Sequence, residues 1–142
     1  MDTPIFVTPQ VWFGSAQHTW NPVSMEIFTH VVNCDSRADS SGPLACAKTF
    51  LHLPCEDDPA FAILDTHFAT LCAFVDAVRA DPAAKVYIHC HAGINRSAAL
   101  AVAYSCRHYG LPASCVINDI RQKYRRYILT NDGFERQLLA RF

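Results

Sequence analysis

The sequence contains little charge and no excess of either sign. Asp, Glu, Lys and Arg make up 18% of its 142 residues, and the formal net charge is −1. It therefore lacks the basic surplus that is typical of nucleic-acid-binding domains and of proteins held on anionic membranes. Its apolar runs are too short to span a bilayer, neither end carries a lipidation motif, and no charged-then-apolar leader opens the chain. We therefore expect a cytoplasmic protein without a secretory signal peptide, a membrane partner or a nucleic-acid partner.

Metal-binding motifs are also missing, although cysteine is plentiful. The chain has seven cysteines, but no CxxC pair and no Cys/His pairs at the spacing of a zinc finger. We therefore predict no metal and no cofactor. An odd number of cysteines predicts free thiols in a reducing compartment, and most of them are expected to be small buried apolar residues.

Hydrophobic patterning predicts one α/β domain over residues 1–142, without internal repeats or linkers. Five short apolar or alternating segments are predicted as strands: 5–7, 11–13, 29–34, 49–53 and 85–89. Helices are predicted from Asn21-Pro22 to about Phe28, over about 63–79, 97–109 and 112–124, and after an Asn131-Asp132 cap. The polar segments 35–43 and 55–60 are predicted as loops. Strands followed by helices in this mixture favour a layered α/β structure.

The segment between the last predicted strand and the 97–109 helix carries the chemistry. A loop that enters a helix in this way aims several backbone N–H groups, and the positive end of the helix dipole, at one point, which suits a tetrahedral oxyanion. Gly93 allows the backbone to approach the anion, and Arg96 adds a planar fork for two of its oxygens. The same field favours thiolate over thiol at Cys90. A nucleophile beneath a bound phosphate is a design for phosphate-ester cleavage.

This loop resembles the HCxxGxxR[ST] signature of the cysteine-based phosphatase superfamily. The matching residues are His89, Cys90, Gly93, Arg96 and Ser97. Nearly the whole chain looks like a compact dual-specificity phosphatase, a resemblance that VWFGSAQHT, FTHVVNCDSR and TNDGFERQLL also carry. The resemblance implies a central, mostly parallel twisted sheet of four to five strands flanked by helices, with the phosphate-binding loop between a central strand and a helix.

The same resemblance implies residue roles. Cys90 would attack phosphorus and form a phosphocysteine, Ser97 would help the sulfur depart, and His89 would support the loop. The substrate phosphate would be bound by the loop residues His91, Ala92, Gly93, Ile94, Asn95 and Arg96. Arg126 would contact a second phosphate or acidic group. The basic stretch around Arg126 is equally well explained as a solvated turn.

A general acid is needed to protonate the leaving oxygen. The family carries an Asp for this purpose on a loop that precedes its cysteine, and the acidic loop here offers Glu56, Asp57 and Asp58. Asp58 stands at the family's spacing and is our first choice, with Asp57 in reserve because registers in loops slip easily. At least one of the three is expected only to cap the following helix.

Three functions stay open at this point. The first is a protein phosphatase acting on phosphotyrosine and phosphoserine/threonine in phosphoprotein substrates. The second is an RNA 5′-triphosphatase or diphosphatase of the same superfamily. Asn95 favours it, because that branch and viral dual-specificity phosphatases carry Asn at this position, whereas an intact acid opposes it. The third is a non-catalytic phosphoprotein-binding module. Asn95 also hints at a viral-like source, with the host-cell cytoplasm or the virion as its location, and both monomer and homodimer remain open.

Overall fold

The computed structural model describes residues 3–124 and 127–142. Five strands form one sheet: β1 (Ile5–Thr8), β2 (Val11–Ser15), β3 (His30–Asn33), β4 (Thr49–His52) and β5 (Val86–Cys90). Their order is β1-β2-β5-β3-β4, with β1 antiparallel to β2 and the other neighbours parallel. The predicted α/β domain with a mostly parallel sheet is confirmed.

Six α-helices accompany the sheet in the described ranges: α1 (Pro22–Met25), α2 (Pro43–Cys46), α3 (Ala69–Asp76), α4 (Arg96–Tyr109), α5 (Ala113–Tyr124) and α6 (Asp132–Arg141). Short 3₁₀ turns occupy Ala16–Trp20 and Ala38–Ser40, and a π-helical turn, Leu64–Phe68, precedes α3. The segment 35–43 was expected to be loop throughout, and the structure corrects this with the 3₁₀ turn and the start of α2. The predicted 63–79 helix is also shorter and begins with the π-helical turn.

Helix α4 lies in the middle of the core. Its first eight residues include four buried alanines, namely Ala98, Ala99, Ala101 and Ala103. These small side chains let the helix approach β2 and β5 closely while α5 and α6 pack on it. Gly110 ends the helix in the left-handed conformation, with φ +66°. The opposite face of the sheet is covered by a second apolar cluster that includes Met25, Phe28 and Tyr87.

Strand β5 is the central strand and is buried along its whole length. Burial on both faces explains its nearly continuous apolar sequence. Parallel neighbours β2 and β3 end at the same edge of the sheet as β5, so the residues after these three strands meet there. Cys90 is the last residue of β5, and the site is built at this edge.

Candidate active site

The catalytic loop, defined here as residues 90–96, connects β5 directly to α4. Gly93 has φ +72°, and a Cβ built on it would lie 2.3 Å from the carbonyl carbon of Gly14 and 2.5 Å from the nitrogen of Ser15. Because both neighbours are backbone atoms, only glycine fits at this position. The His91 carbonyl also accepts a hydrogen bond from the Ala16 N–H at 3.0 Å. The end of β2 therefore fixes the shape of the loop.

The Cys90 sulfur sits at the bottom of this loop and is almost completely buried. It accepts a hydrogen bond from the Gly93 N–H at 3.3 Å, and the Ser97 Oγ lies 3.2 Å from it. The Ser97 hydroxyl is also 3.4 Å from the Gly14 carbonyl oxygen. When the sulfur is a thiolate it can only accept, so the hydroxyl proton turns toward it. Two donors therefore stabilise negative charge on Cys90.

His89 supports the loop from inside the sheet. Its Nδ1 is 3.1 Å from the Cys90 carbonyl oxygen, and its Nε2 is 2.7 Å from the Ser41 Oγ. Since a carbonyl can only accept, Nδ1 carries the ring proton and Nε2 accepts from the Ser41 hydroxyl. Burial lowers the pKa of His89 to about 4. The ring is therefore neutral near pH 7 and acts as a fixed hydrogen-bonding support.

Arg96 extends along the edge of the sheet and is held by two acceptors. Its Nη1 donates to the Asp35 Oδ1 at 3.1 Å and to the Cys55 carbonyl oxygen at 3.3 Å. Burial acts to raise the pKa of Asp35, but the Arg37 backbone N–H and the charges of Arg96 and Arg37 outweigh it, so this pKa is lowered. Within residues 3–124 and 127–142, the buried Nε of Arg96 has no hydrogen-bond partner. A buried cationic N–H without an acceptor is costly, and an oxyanion bound in the loop would supply one.

Asp35 is a residue that the sequence reasoning missed. It follows β3, which neighbours β5 in the sheet, and its carboxylate makes the ion pair that orients Arg96. The sequence could have indicated Asp35, because it follows a predicted strand and the carboxyl ends of parallel strands meet at one edge of the sheet.

The two aspartates of the acidic loop have different surroundings. The Asp58 Oδ1 accepts the Ala60 N–H at 2.8 Å, and its carbonyl accepts the Phe61 N–H at 2.9 Å, so Asp58 caps its own turn. The Asp57 carboxylate instead accepts from the Asn95 Nδ2 at 3.2 Å and from the Asn131 Nδ2 at 2.9 Å. The structure thus connects Asp57, the reserve candidate, to the catalytic loop.

Asn95 joins the catalytic loop to the start of α6. Besides its bond to Asp57, its Oδ1 accepts the Asn131 N–H at 2.8 Å, and its Nδ2 is 3.1 Å from the Thr130 Oγ1. The sequence grouped Asn95 with the phosphate-binding residues, and the structure places its side-chain amide in this network. Asn131, predicted only as a helix cap, does cap α6 through the Phe134 N–H at 3.2 Å and also binds Asp57.

The start of α6 packs directly on the acidic loop. A Cβ on Gly133 would lie 2.1 Å from the Pro59 carbonyl oxygen, so glycine permits a close approach of the two backbones. The Leu129 N–H donates to the Ile94 carbonyl at 2.8 Å, which ties the preceding segment to the catalytic loop. We call Asp57, Asn95 and Asn131 the acid network.

The remaining predicted site residues are at the rim. His91 and Ala92 are exposed, and Ile94 is half-buried. Arg126 lies outside the described residues. Among the described residues no group of three or more His, Cys, Asp or Glu side chains could hold a metal ion, and no helix there is long and apolar enough to cross a membrane.

Cys34 is a second buried thiol near the catalytic loop, and its surroundings favour the protonated form. All seven cysteines are free. Cys34 lies beside the catalytic loop on β3's side, with its N–H bonded to the His89 carbonyl, and burial followed by its contact with Cys55 raises its pKa well above the usual value. Cys34 is therefore a protonated thiol, although it is close to the nucleophile candidate.

Comparison with known proteins identifies the family. The family described as dual specificity phosphatase, catalytic domain, matches residues 11–141. The chain belongs to this family. It is 33% identical over 115 residues to human dual specificity protein phosphatase 26, a match that covers 79% of this chain and 53% of that protein. It is 32% identical over 142 residues to human dual specificity protein phosphatase 5, covering 96% of this chain and 35% of that protein.

Solved structures of this family superimpose on the whole chain. The crystal structure of human DUSP28 is 29% identical, has a TM-score of 0.81, and covers 96% of this chain and 90% of its own. The crystal structure of DUSP15 gives a TM-score of 0.85 at 23% identity, with coverage of 99% and 87%, and shows the shared fold alone. The chain spans about half the length of dual specificity protein phosphatase 26 and about a third of the length of dual specificity protein phosphatase 5.

Proposed function

We propose that this dual-specificity phosphatase domain hydrolyses phosphotyrosine and phosphoserine/threonine in proteins through a phosphocysteine intermediate. The observation that carries the proposal is the geometry of the catalytic loop. A buried sulfur lies within hydrogen-bond distance of the Gly93 N–H and the Ser97 hydroxyl in the loop that enters α4, and the buried Nε of Arg96 has no partner among the described residues. This arrangement supports attack on a dianionic ester.

In the first step the Cys90 thiolate attacks phosphorus in line, so that a P–S bond forms and the P–O ester bond breaks. Arg96 and the loop amides hold the three equatorial oxygens, on which transition-state charge is spread. The leaving oxygen takes a proton from the general acid. In the second step water attacks phosphorus, the same carboxylate accepts the water proton, and the thiolate leaves with a hydrogen bond from Ser97.

We assign the acid to Asp57 and the turn cap to Asp58. Asn95 and Asn131 each donate to one oxygen of Asp57, which fixes the carboxylate beside the catalytic loop, whereas Asp58 bonds backbone groups of its own turn. A general acid must lie within reach of the leaving group, and position decides before acidity does. Asn95 at this position was an argument for RNA 5′-phosphatase activity. Its contact with the proposed acid argues against that activity, because a polyphosphate leaving group departs without proton donation and needs no acid.

Turnover of three substrates tests the proposal. The purified protein should hydrolyse a phosphotyrosine peptide and a phosphothreonine peptide faster than the 5′-phosphates of a triphosphate RNA. Cys90→Ser should abolish all turnover, and Cys115→Ser, which changes an exposed thiol on α5, should not. Equal inertness of wild type and Cys90→Ser would leave the binding-module hypothesis, and faster RNA turnover would favour the RNA phosphatase.

The cysteines bear on the cellular setting of the protein. Seven free thiols support a reducing compartment, so we propose the cytoplasm, or the host-cell cytoplasm or virion if the viral-like hint from Asn95 holds. We also propose phosphoprotein substrates, and no membrane or nucleic-acid partner, because a formal net charge of −1 offers no basic surplus for an anionic surface. Light scattering during size-exclusion chromatography would decide between monomer and homodimer.

A further inference from the structure

A surface groove begins at the catalytic loop on the side away from the acid network. It consists of two adjoining clefts, of about 490 Å³ and 510 Å³, and both are lined by Gln17 and Trp20. The first cleft is also lined by His91 and Ala92, which belong to the catalytic loop. The second runs on past Asn21. We call these two clefts the Trp20 groove. A polypeptide whose phosphorylated residue occupies the catalytic loop has to pass over a surface of this kind on one side.

Trp20 presents a large apolar surface to solvent, being 58% exposed. Its inner edge is nevertheless held, because a Cβ on Gly42 would lie 3.0 Å from its Cδ2 and 2.3 Å from the Thr19 carbonyl oxygen. The Gly42 N–H also donates to the Thr19 Oγ1 at 2.7 Å. One edge of the ring therefore packs against the Gly42 backbone, and the rest of the ring faces solvent. Tryptophan is enriched at binding surfaces because its ring buries a large apolar area.

Arg37 gives the end of the groove nearest the catalytic loop a positive charge. Its side chain is 64% exposed, and its guanidinium is 3.7 Å from the Asp35 Oδ2. The other oxygen of Asp35 already binds Arg96, so this pair leaves most of the Arg37 fork available. His91 lines the same cleft. Asp39 also lines it and carries a charge opposite to that of Arg37. The cleft therefore suits one acidic group placed on Arg37 better than a run of acidic groups.

We propose that the Trp20 groove selects substrates by binding the polypeptide next to the phosphorylated residue, with an acidic group on Arg37 and an apolar side chain on Trp20. The inference rests on the proposed function, since it assigns the polypeptide that enters the same site. The groove is continuous with the catalytic loop, and a guanidinium binds carboxylate and phosphate through the same bidentate geometry. The acidic group can be Asp or Glu, or a second phosphate.

Phosphotyrosine peptides with designed flanks test the groove. The flanks carry Glu and Leu, Glu alone, phosphoserine and Leu, Leu alone, or only Ala. For each, kcat/KM is divided by kcat/KM for p-nitrophenyl phosphate, which has no polypeptide. We expect this ratio to be highest for peptides with both an acidic group and Leu. The Glu and phosphoserine arms show which acidic group is preferred.

Variants then assign the preference to residues. Trp20→Ala should lower the ratio about 10-fold for Leu-bearing peptides, which is the size of effect expected of a central interface residue. Arg37→Ala should lower it about 5-fold for acidic peptides, and Arg37→Glu should shift the preference toward Lys-bearing peptides. Tyr109→Ala, at the far end of α4, and Arg136→Ala, on α6, are matched controls that should retain the wild-type ratio.

Binding to Cys90→Ser separates the groove from the chemistry. Titration with the Glu/Leu peptide should change tryptophan fluorescence, and Trp20→Phe in the same background should remove the change, leaving only the half-buried Trp12. Loss of turnover in wild type with this binding intact would overturn the proposed function and retain the groove. Equal ratios for all peptides would overturn the assignment of the groove. So would a Trp20→Ala variant in which kcat/KM falls equally for peptides and for p-nitrophenyl phosphate.

Discussion

The two sides of the catalytic loop are built on opposite principles. On the side of the acid network, the carboxylate and both asparagines are fixed by hydrogen bonds from separate parts of the chain, and glycine brings the backbones of α6 and the acidic loop into contact. On the side of the Trp20 groove, Trp20 and Arg37 are mostly exposed. Proton transfer needs one geometry, whereas selection of a polypeptide needs accessible surface. The difference predicts that substitutions in the acid network slow the hydrolysis of every substrate whose leaving group needs a proton. Substitutions in the Trp20 groove should change only the preference among peptide substrates.

The largest expected effect comes from the acid itself. Asp57→Asn should lower kcat/KM, which reports the first step, about 10²- to 10⁴-fold on phosphothreonine and phenyl phosphate, the usual contribution of a general acid, and should lower it far less on esters of very acidic alcohols. Asp58→Asn is the matched control and should stay near wild type, because the hydrogen bonds of Asp58 in the described part of the chain are to its own turn. Measuring kcat/KM over a series of leaving groups checks both. A steep leaving-group dependence in Asp58→Asn, and not in Asp57→Asn, would exchange the two assignments.

The second prediction concerns His89, whose ring supports the catalytic loop through the Cys90 carbonyl. Because burial lowers its pKa from 6.5 to about 4, the unfolded chain takes up a proton between these values and the folded protein does not. The free energy of unfolding should therefore fall as pH drops from about 6.5 to 4, by on the order of 3 kcal/mol. Urea unfolding at several pH values measures this slope. His89→Gln should flatten it and the exposed His91→Gln should not; the same slope in both would contradict the assignment.

A smaller effect is expected at Asn131, which has two functions in one side chain. Asn131→Asp keeps the oxygen that caps α6 but replaces the amide donor to Asp57 with a second carboxylate. It should lower kcat on phosphothreonine about 10-fold and also lower the free energy of unfolding, because two carboxylates would face each other where the Asn131 Nδ2 and the Asp57 Oδ1 are 2.9 Å apart. Asn131→Ala should also cost about 1 kcal/mol of stability through the lost cap. Wild-type kcat in Asn131→Asp would mean that the contact with Asp57 does not position the acid.

The smallest effect is expected on the open side. Arg37→Ala should change the free energy of unfolding by less than about 0.5 kcal/mol, because its mostly exposed guanidinium lies 3.7 Å from the buried Asp35 carboxylate, which Arg96 already binds at 3.1 Å. Chemical denaturation measures this change. A loss of several kcal/mol would show that Arg37 holds the site together, contrary to the contrast between the two sides.

Local sequence predicted the catalytic loop and its flanking elements well. The apolar run of β5 and the alanine pattern of α4 are properties of neighbouring residues, and their observed bounds, Val86–Cys90 and Arg96–Tyr109, lie within one residue of expectation. The one-turn helix α2 lay partly in a segment predicted as loop, because a single turn is too short to show helical periodicity. The π-helical turn before α3 likewise shifts the hydrophobic pattern without leaving a local signal.

The choice between Asp57 and Asp58 could not be made locally. Both stand in the same acidic stretch, and the partners that distinguish them, Asn95 and Asn131, are 38 and 74 residues away in sequence. The same holds for Asp35, which meets Arg96 across 61 residues. Such contacts follow from the order of strands and from backbone approach at glycine, which a single sequence does not reveal.

The central claim is that the Cys90 sulfur carries the phosphoryl group. Asp57→Asn mixed with p-nitrophenyl phosphate should complete the first step, since that leaving group needs little proton donation, and then stall because the base for water is missing. Rapid quenching in denaturant and mass spectrometry of the peptides should show phosphate on Cys90. Phosphate on another residue, or continued turnover with no phosphorylated peptide in either wild type or Asp57→Asn, would contradict the account.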